Sequence, residues 1–170
     1  MLVSQETINA IYEIVGESFK ANRILDRAVS VLNTKFACNN ASGKIHKDLA
    51  HLYPLLADRF GEILETYNIP VEYAATPFAN QDYESVEQII YDINDVAVDY
   101  QSYVMGVAKI AFENNDLHAY VEILDILEDV NKTVAATILL KDKIGLYKDN
   151  IVAFDNHIDK FWTLGSDLDD

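Results

Sequence analysis

The sequence predicts an all-α protein: an antiparallel four-helix bundle with a long crossover between helices 2 and 3 and a short C-terminal fifth helix. Three observations support this fold class. Only six glycines and three prolines occur among the 170 residues, so few positions interrupt regular structure. Apolar residues recur at steps of three and four along four long segments. The long stretch at about residues 71–81 lacks this periodicity and separates the second segment from the third.

The first helix is predicted to run from about residue 4 to about residue 36. Ser4 and Thr7 have side chains that can accept the free backbone N–H groups of a helix start. Apolar positions from Ile8 to Leu32 recur at near-helical spacing, which indicates one buried face. Residues 38–43 are predicted to form the turn that follows.

The second helix is predicted over about residues 44–67 and has the clearest apolar stripe, formed by Leu49, Leu52, Leu56, Phe60, Ile63 and Tyr67. Pro54 lies inside this stripe. Because proline lacks a backbone N–H, it should kink the helix or mark its true first turn. The aperiodic stretch after Pro70 is long enough to carry the chain from one end of a bundle to the other.

The third and fourth helices are predicted over about residues 83–114 and 117–146. Their joint at residues 114–116 is short and polar, so the two helices should lie antiparallel and adjacent. The fourth helix is predicted to bury Leu117, Tyr120, Val121, Leu124, Leu127, Val134 and Ile138. The chain then divides into the bundle, residues 1–148, and a C-terminal amphipathic helix with an acidic tail, residues 149–170, whose last four residues are predicted to be disordered.

Composition narrows the choice of partners and compartment. With 28 acidic and 13 basic residues, the formal net charge is −15, which repels nucleic acid and anionic membranes and favours cations. Direct DNA binding is therefore not expected. The single cysteine, Cys38, cannot form an internal disulfide, and the sequence shows neither a signal peptide nor an apolar membrane span. We expect a cytoplasmic protein.

Three short motifs resemble those of a known family. Residues 45–53 are similar to the stretch that opens the second helix of Dps-type miniferritins, in which a ligand histidine stands six residues before a Leu-Tyr pair. His46 takes the place of that histidine before Leu52 and Tyr53. Glu65 falls where the family has its bridging glutamate, and residues 113–116 resemble its acidic turn.

This resemblance implies a ferritin-like fold and an iron-storing subunit of a hollow oligomer, in this family a dodecamer. Such a subunit would bind non-haem iron, oxidise ferrous iron with oxygen or peroxide, and protect against oxidative stress. In the family the oxidation site lies between two subunits. The second family histidine would fall near Thr34 or Lys35, and the aspartate on Gly61, so the ferroxidase motif is degenerate and its activity stays open.

Helical spacing indicates where a metal could bind. At about 100° per residue, four polar side chains share the face opposite the apolar stripe of the second helix: His51, Asp58, Glu62 and Glu65. Imidazole nitrogens and carboxylate oxygens are suitable ligands for ferrous iron and other divalent metals. With His46, these residues form the predicted metal set.

Other readings of the same residues remain open. A stripe of acids on the polar side of an amphipathic helix can simply be solvated. The chain could then be a ferritin-like bundle without metal chemistry, acting as a structural or partner-binding protein. It could also be a small regulatory protein whose charge masks a basic partner.

Overall fold

The computed structural model describes residues 2–165 and is helical throughout, apart from its joints and the crossover. Its α-helices are α1 (Gln5–Thr34), α2 (Asn39–Ile45), α3 (Leu52–Thr66), α4 (Val86–Glu113), α5 (Leu117–Tyr147) and α6 (Ile151–Asn156). A π-helical turn, His46–Ala50, joins α2 to α3, and a 3-10 turn, Ile158–Lys160, follows α6. Together α2, the π-helical turn and α3 form the second rod of the bundle.

The bundle is antiparallel, as the sequence predicted. Helix α1 packs against α3 and α4, and α5 packs against α4 and α3. The crossover, residues 67–85, follows α1 from one end of the bundle to the other. The hydroxyl of Tyr12 donates to the carbonyl of Pro70 (3.0 Å), and the guanidinium of Arg27 donates to the carbonyl of Gln81 (3.0 Å). The fold class and the long crossover are confirmed.

The predicted N-cap of α1 is confirmed and has a distant partner. Ser4 Oγ accepts the backbone N–H of Thr7 at 3.2 Å, and both hydroxyls donate to the carboxylate of Asp116 at 2.6 Å. Burial would raise the pKa of Asp116, but these hydrogen bonds outweigh burial and lower it below its ordinary value. The start of α1 is therefore tied to the joint between α4 and α5.

The turn predicted at residues 38–43 is wrong, because α2 begins at Asn39. The tight turn lies just before it, at Ala37, whose φ is +54°. No local side chain caps α2. Instead, the carboxylate of Asp155 in α6 accepts the backbone N–H groups of Asn40 (3.3 Å) and Ala41 (2.7 Å). A cap from 115 residues away is invisible in the local sequence.

Pro54 lies in the first turn of α3, in agreement with one of the two predicted outcomes. Because Pro54 has no backbone N–H, the carbonyl of Ala50 cannot accept the helical hydrogen bond that the residue four positions later would normally donate. The side-chain amide of Asn22 in α1 donates to that carbonyl at 2.9 Å. The N–H of His51 reaches back to the carbonyl of His46, which widens the helix into the π-helical turn.

The predicted core of the fourth helix is partly wrong. Four of its members lie on the surface of α5, with 40–60% of their area exposed: Leu117, Val121, Leu124 and Ile138. The buried face is instead formed mainly by Ile123, Ile126, Val130, Leu140 and Ile144. Helix α5 therefore has two apolar faces, and periodicity alone could not tell which one the bundle buries.

The C-terminal segment packs on the bundle. Phe154, Ile158 and Phe161 join the core, and the indole N–H of Trp162 donates to the buried carboxylate of Asp48 in the π-helical turn (2.8 Å). Gly165 has a φ of +97° and leaves no room for a side chain, because a Cβ there would lie 2.6 Å from an Asp48 oxygen. The acidic tail, residues 167–170, lies outside the described residues. Among the helices described, none has the length and apolarity that crossing a membrane requires.

Candidate metal-binding surface

All five residues of the predicted metal set have exposed side chains along the second rod. His46 and His51 flank the π-helical turn, and Asp58, Glu62 and Glu65 follow along α3. His46 and Glu65 are 19 positions apart, which corresponds to roughly 28 Å at 1.5 Å per residue. A single metal ion cannot reach both within one chain, so a shared site requires a second copy.

The π-helical turn brings His46 towards an acid of α1 that sequence analysis missed. His46 Nε2 lies 3.7 Å from Asp26 Oδ1, and the rings of His46 and His51 meet edge to face at 4.4 Å between centroids. Asp26 Oδ1 is shielded from solvent and accepts no hydrogen bond from the described residues. The sequence held no signal for this contact, because Asp26 lies 20 positions before His46 and on another helix.

Glu62 belongs to a second cluster of polar residues. This cluster lines a cleft of about 260 Å³ between α3 and α5. Its other polar lining residues are Arg59, Thr66, His118, Glu122 and Asp125. Arg59 crosses the cleft and donates to Asp125 (2.8 Å) and Asp129 (2.6 Å). Burial would raise the pKa of Asp129, but Arg59 and Lys132 lower it, so this carboxylate is already paired with cations of the chain itself.

Neither cluster amounts to a finished metal site. Within residues 2–165, no three or more side chains of His, Cys, Asp or Glu are arranged to hold a metal ion. The surface supplies pairs of donors, as at Asp26 and His46, and single carboxylates along α3. Donors from neighbouring copies would have to complete them.

The interior of the bundle does not fit a di-iron centre either. Bundles that hold two irons in their core supply glutamates from all four helices and histidines from two. Among the described residues, no glutamate or histidine is buried. The buried aspartates, Asp48, Asp116 and Asp155, all lie at turns or helix ends, where they are hydrogen-bonded.

Neutral polar side chains occupy the centre of the bundle instead. Ser18 of α1 and Tyr100 of α4 share a hydrogen bond of 2.7 Å, and the ring of Tyr53 in α3 meets that of Tyr100 edge to face at 4.8 Å. The Tyr53 hydroxyl makes no hydrogen bond of ordinary geometry within the described part of the chain. Burial raises the pKa of both tyrosines, and the contacts of Tyr53 with Thr133 and of Tyr100 with Ser18 offset this only in part.

Comparison with known proteins identifies the fold. No family model matches the sequence, and no curated protein shows significant sequence similarity to it. Among solved structures, an open-pore ferritin from the archaeon Archaeoglobus fulgidus superimposes with a TM-score of 0.86 at 10% identity, over 94% of this chain and 97% of that one. A variant of PmFTN soaked in iron gives 0.83 at 13% identity, over 89% and 99%. A structure described as a humanized archaeal ferritin gives 0.84 at 10% identity, over 92% and 95%. This chain therefore has the ferritin fold.

Proposed function

We infer that this chain is an iron-binding and iron-storage subunit of the Dps-like type, which assembles with copies of itself into a hollow oligomer, a dodecamer, in the cytoplasm. The observation that carries the proposal is the combination of the ferritin fold with an acidic surface along α3 and α5. Exposed carboxylates of that surface include Asp58, Glu62, Glu65, Glu122 and Asp125.

This surface has the chemistry that ferrous iron requires. Carboxylate oxygens and imidazole nitrogens are suitable ligands for the ion, and a net charge of −15 raises the concentration of cations near the protein. If α3 and α5 line the cavity of the oligomer, their carboxylates would nucleate a ferric mineral. His46 of one copy and Glu65 of another would form the shared site that the resemblance implies.

Oxidation would take place at contacts between copies and would be slow. The described part of the bundle interior contains no glutamate or histidine to bind iron, and Tyr53 and Tyr100 occupy its centre. The partial pairs at the surface must be completed by a second copy before iron is held firmly. Removal of ferrous iron together with oxygen or peroxide is the way in which such a subunit would protect against oxidative stress.

A second candidate function is favoured by the same interior. Among the described residues no glutamate or histidine is buried, and no three side chains of His, Cys, Asp or Glu are arranged to hold a metal ion, which favours a structural or partner-binding bundle without metal chemistry. The two proposals differ in one measurable property, the retention of ferric iron by the assembled protein.

The test is to load purified protein with ferrous iron in air and separate it by size. Iron storage predicts a cage-sized particle that carries the absorbance of ferric iron. The double variant His46→Ala/Glu65→Ala should slow the initial oxidation, whereas the control His157→Gln/Glu84→Ala, which changes the same residue types elsewhere, should not.

Particles of cage size without ferric iron would favour the structural function. Unchanged oxidation rates in the double variant would place the iron site at other residues. A protein that remains monomeric and retains no iron would contradict the proposal.

A further inference from the structure

Helix α4 carries a row of exposed apolar side chains at a strict spacing of seven residues. The row is Tyr91, Val98, Met105 and Phe112, with 38%, 38%, 55% and 58% of their areas exposed. Seven residues are almost two full turns, so these side chains lie nearly in line along one face of α4. A solvated helix face normally carries polar residues at such positions.

Helix α5 widens this face. Leu124 and Ile138 are exposed and lie seven residues before and after Asn131. Asn131 accepts a hydrogen bond of 2.7 Å from the side chain of Gln101, which places this row beside α4 on the outside of the helix pair. Near the joint, the rings of Phe112 and Tyr120 lie 5.2 Å apart. The two rows together form one apolar surface, which we call the α4/α5 face.

We propose that the α4/α5 face binds the same face of a second copy of this chain, with the two α4 helices antiparallel about a two-fold axis close to Ser102. The row is symmetric about a point midway between Gln101 and Ser102, because Tyr91 and Phe112 lie at equal distances from that point, as do Val98 and Met105. In this register Tyr91 faces Phe112 of the second copy, and Val98 faces Met105 of the second copy. Apolar rows at heptad spacing are the pattern by which helices pack knobs into holes.

The charges beside the row select the antiparallel register. Asp95 and Lys109 are exposed, and each lies seven residues from Ser102, on opposite sides. Within one copy Lys109 Nζ lies 3.7 Å from Glu113 Oε1. About an axis at Ser102, each Lys109 would also face Asp95 of the other copy, so two ion pairs would form across the contact. A parallel arrangement in register would place Asp95 against Asp95 and Lys109 against Lys109, which is unfavourable. Ser102, at the axis, is small and uncharged, and its hydroxyl donates to the carbonyl of Val98 in its own helix.

This contact does not depend on iron. It follows from the shape and charge of α4 and would form with or without metal, so its failure and the failure of iron storage are separate results. It buries the apolar area that the bundle leaves exposed, which is the main source of affinity between subunits.

The most direct test is a cross-link at the axis. In the variant Ser102→Cys, thiols of two copies should meet and form a disulfide-linked dimer, seen on a non-reducing gel. Ser30→Cys, an exposed serine of α1, is the matched control and should stay largely unlinked. Native Cys38 does not compete, since it is buried and desolvation, aided by the nearby Asp155 carboxylate, raises the pKa of its thiol to about 11.

Substitutions in the Ser102→Cys background test the surface and its register. Met105→Glu places an unpaired charge at the centre of the contact and should weaken association roughly 100-fold, with loss of the dimer band. Asp95→Lys or Lys109→Asp alone should weaken association about three- to ten-fold, and the two changes together should restore it. All of these positions are exposed, so circular dichroism should show an unchanged fold.

Three results would overturn the proposal. If the Ser102→Cys variant forms no more disulfide-linked dimer than the Ser30→Cys variant, a two-fold axis close to Ser102 is excluded. A dimer band that survives Met105→Glu would exclude the apolar row as its cause. A double charge reversal that links no better than the single reversals would exclude the antiparallel register.

Discussion

The centre of the bundle and the π-helical turn differ in what they can bind. At the centre, Ser18, Tyr53 and Tyr100 are buried and neutral. At the π-helical turn, His46 and His51 are exposed, and His46 lies beside the carboxylate of Asp26. Across residues 2–165, glutamates and histidines are therefore found at or near the surface and none is buried in the bundle, so stability and metal chemistry can be altered separately.

The largest effect should come from the centre of the bundle. Tyr53→Ala removes a fully buried aromatic ring that packs on Tyr100, and we expect the free energy of unfolding to fall by about 3–5 kcal/mol. Urea denaturation followed by circular dichroism measures this. Tyr53→Phe is the matched control. It removes only a hydroxyl without an ordinary hydrogen bond and should change stability by less than about 1 kcal/mol. A loss from Tyr53→Phe as large as that from Tyr53→Ala would show that the hydroxyl, and not the ring, stabilises the core.

The next effect should come from the interior side of the π-helical turn. Trp162→Phe keeps an aromatic ring but removes the N–H that Asp48 accepts, so a buried carboxylate loses its bond to indole. We expect a loss of about 1–3 kcal/mol in the free energy of unfolding. The double variant Trp162→Phe/Asp48→Asn should recover part of it, because a neutral amide is less costly to bury. No recovery would mean that indole packing, rather than the hydrogen bond, is what the first variant lost.

Acid and alkali should destabilise the protein through different groups. Asp116, at a helix end, should matter at low pH, and Tyr53 and Tyr100, in the core, should matter at high pH. The pKa of Asp116 is lowered in the folded state, so its contribution is present above its ordinary pKa of about 4 and is lost as the pH falls below that value. The pKa values of Tyr53 and Tyr100 are raised, so their contribution is present below about pH 10 and is lost as the pH rises further. Thermal melts from pH 3 to 11 should show Asp116→Asn flattening only the acid limb and Tyr53→Phe only the alkaline limb. An alkaline limb that Tyr53→Phe does not change would contradict the assignment.

The smallest effect on stability should come from His46. Its side chain is half exposed, and its distance of 3.7 Å from Asp26 is longer than a hydrogen bond. His46→Ala should therefore change the free energy of unfolding by no more than about 0.5 kcal/mol at neutral pH, while weakening the retention of ferrous iron. A loss of 2 kcal/mol or more would give His46 a structural role and remove the contrast between surface and core.

Local patterns in the sequence predicted most of the architecture. The apolar stripe of residues 49–67, the cap at Ser4, the short joint before Leu117 and the aperiodic crossover each depend on neighbours a few residues away, so they could be read directly. The exposure of His51, Asp58, Glu62 and Glu65 followed from the same spacing. Their metal binding stays a prediction, since it requires groups from another copy.

The tertiary structure alone decided the features that depend on distant partners. Helix α2 begins at Asn39 because Asp155 caps it, and Asn22 of α1 satisfies the carbonyl of Ala50 beside the π-helical turn. Helix α5 has two apolar faces, and its packing against α4 and α3 selected the one that became core. Spacing along a chain fixes which side chains share a face of one helix. Which face is buried, and which distant group satisfies a free backbone atom, depends on how the helices pack together.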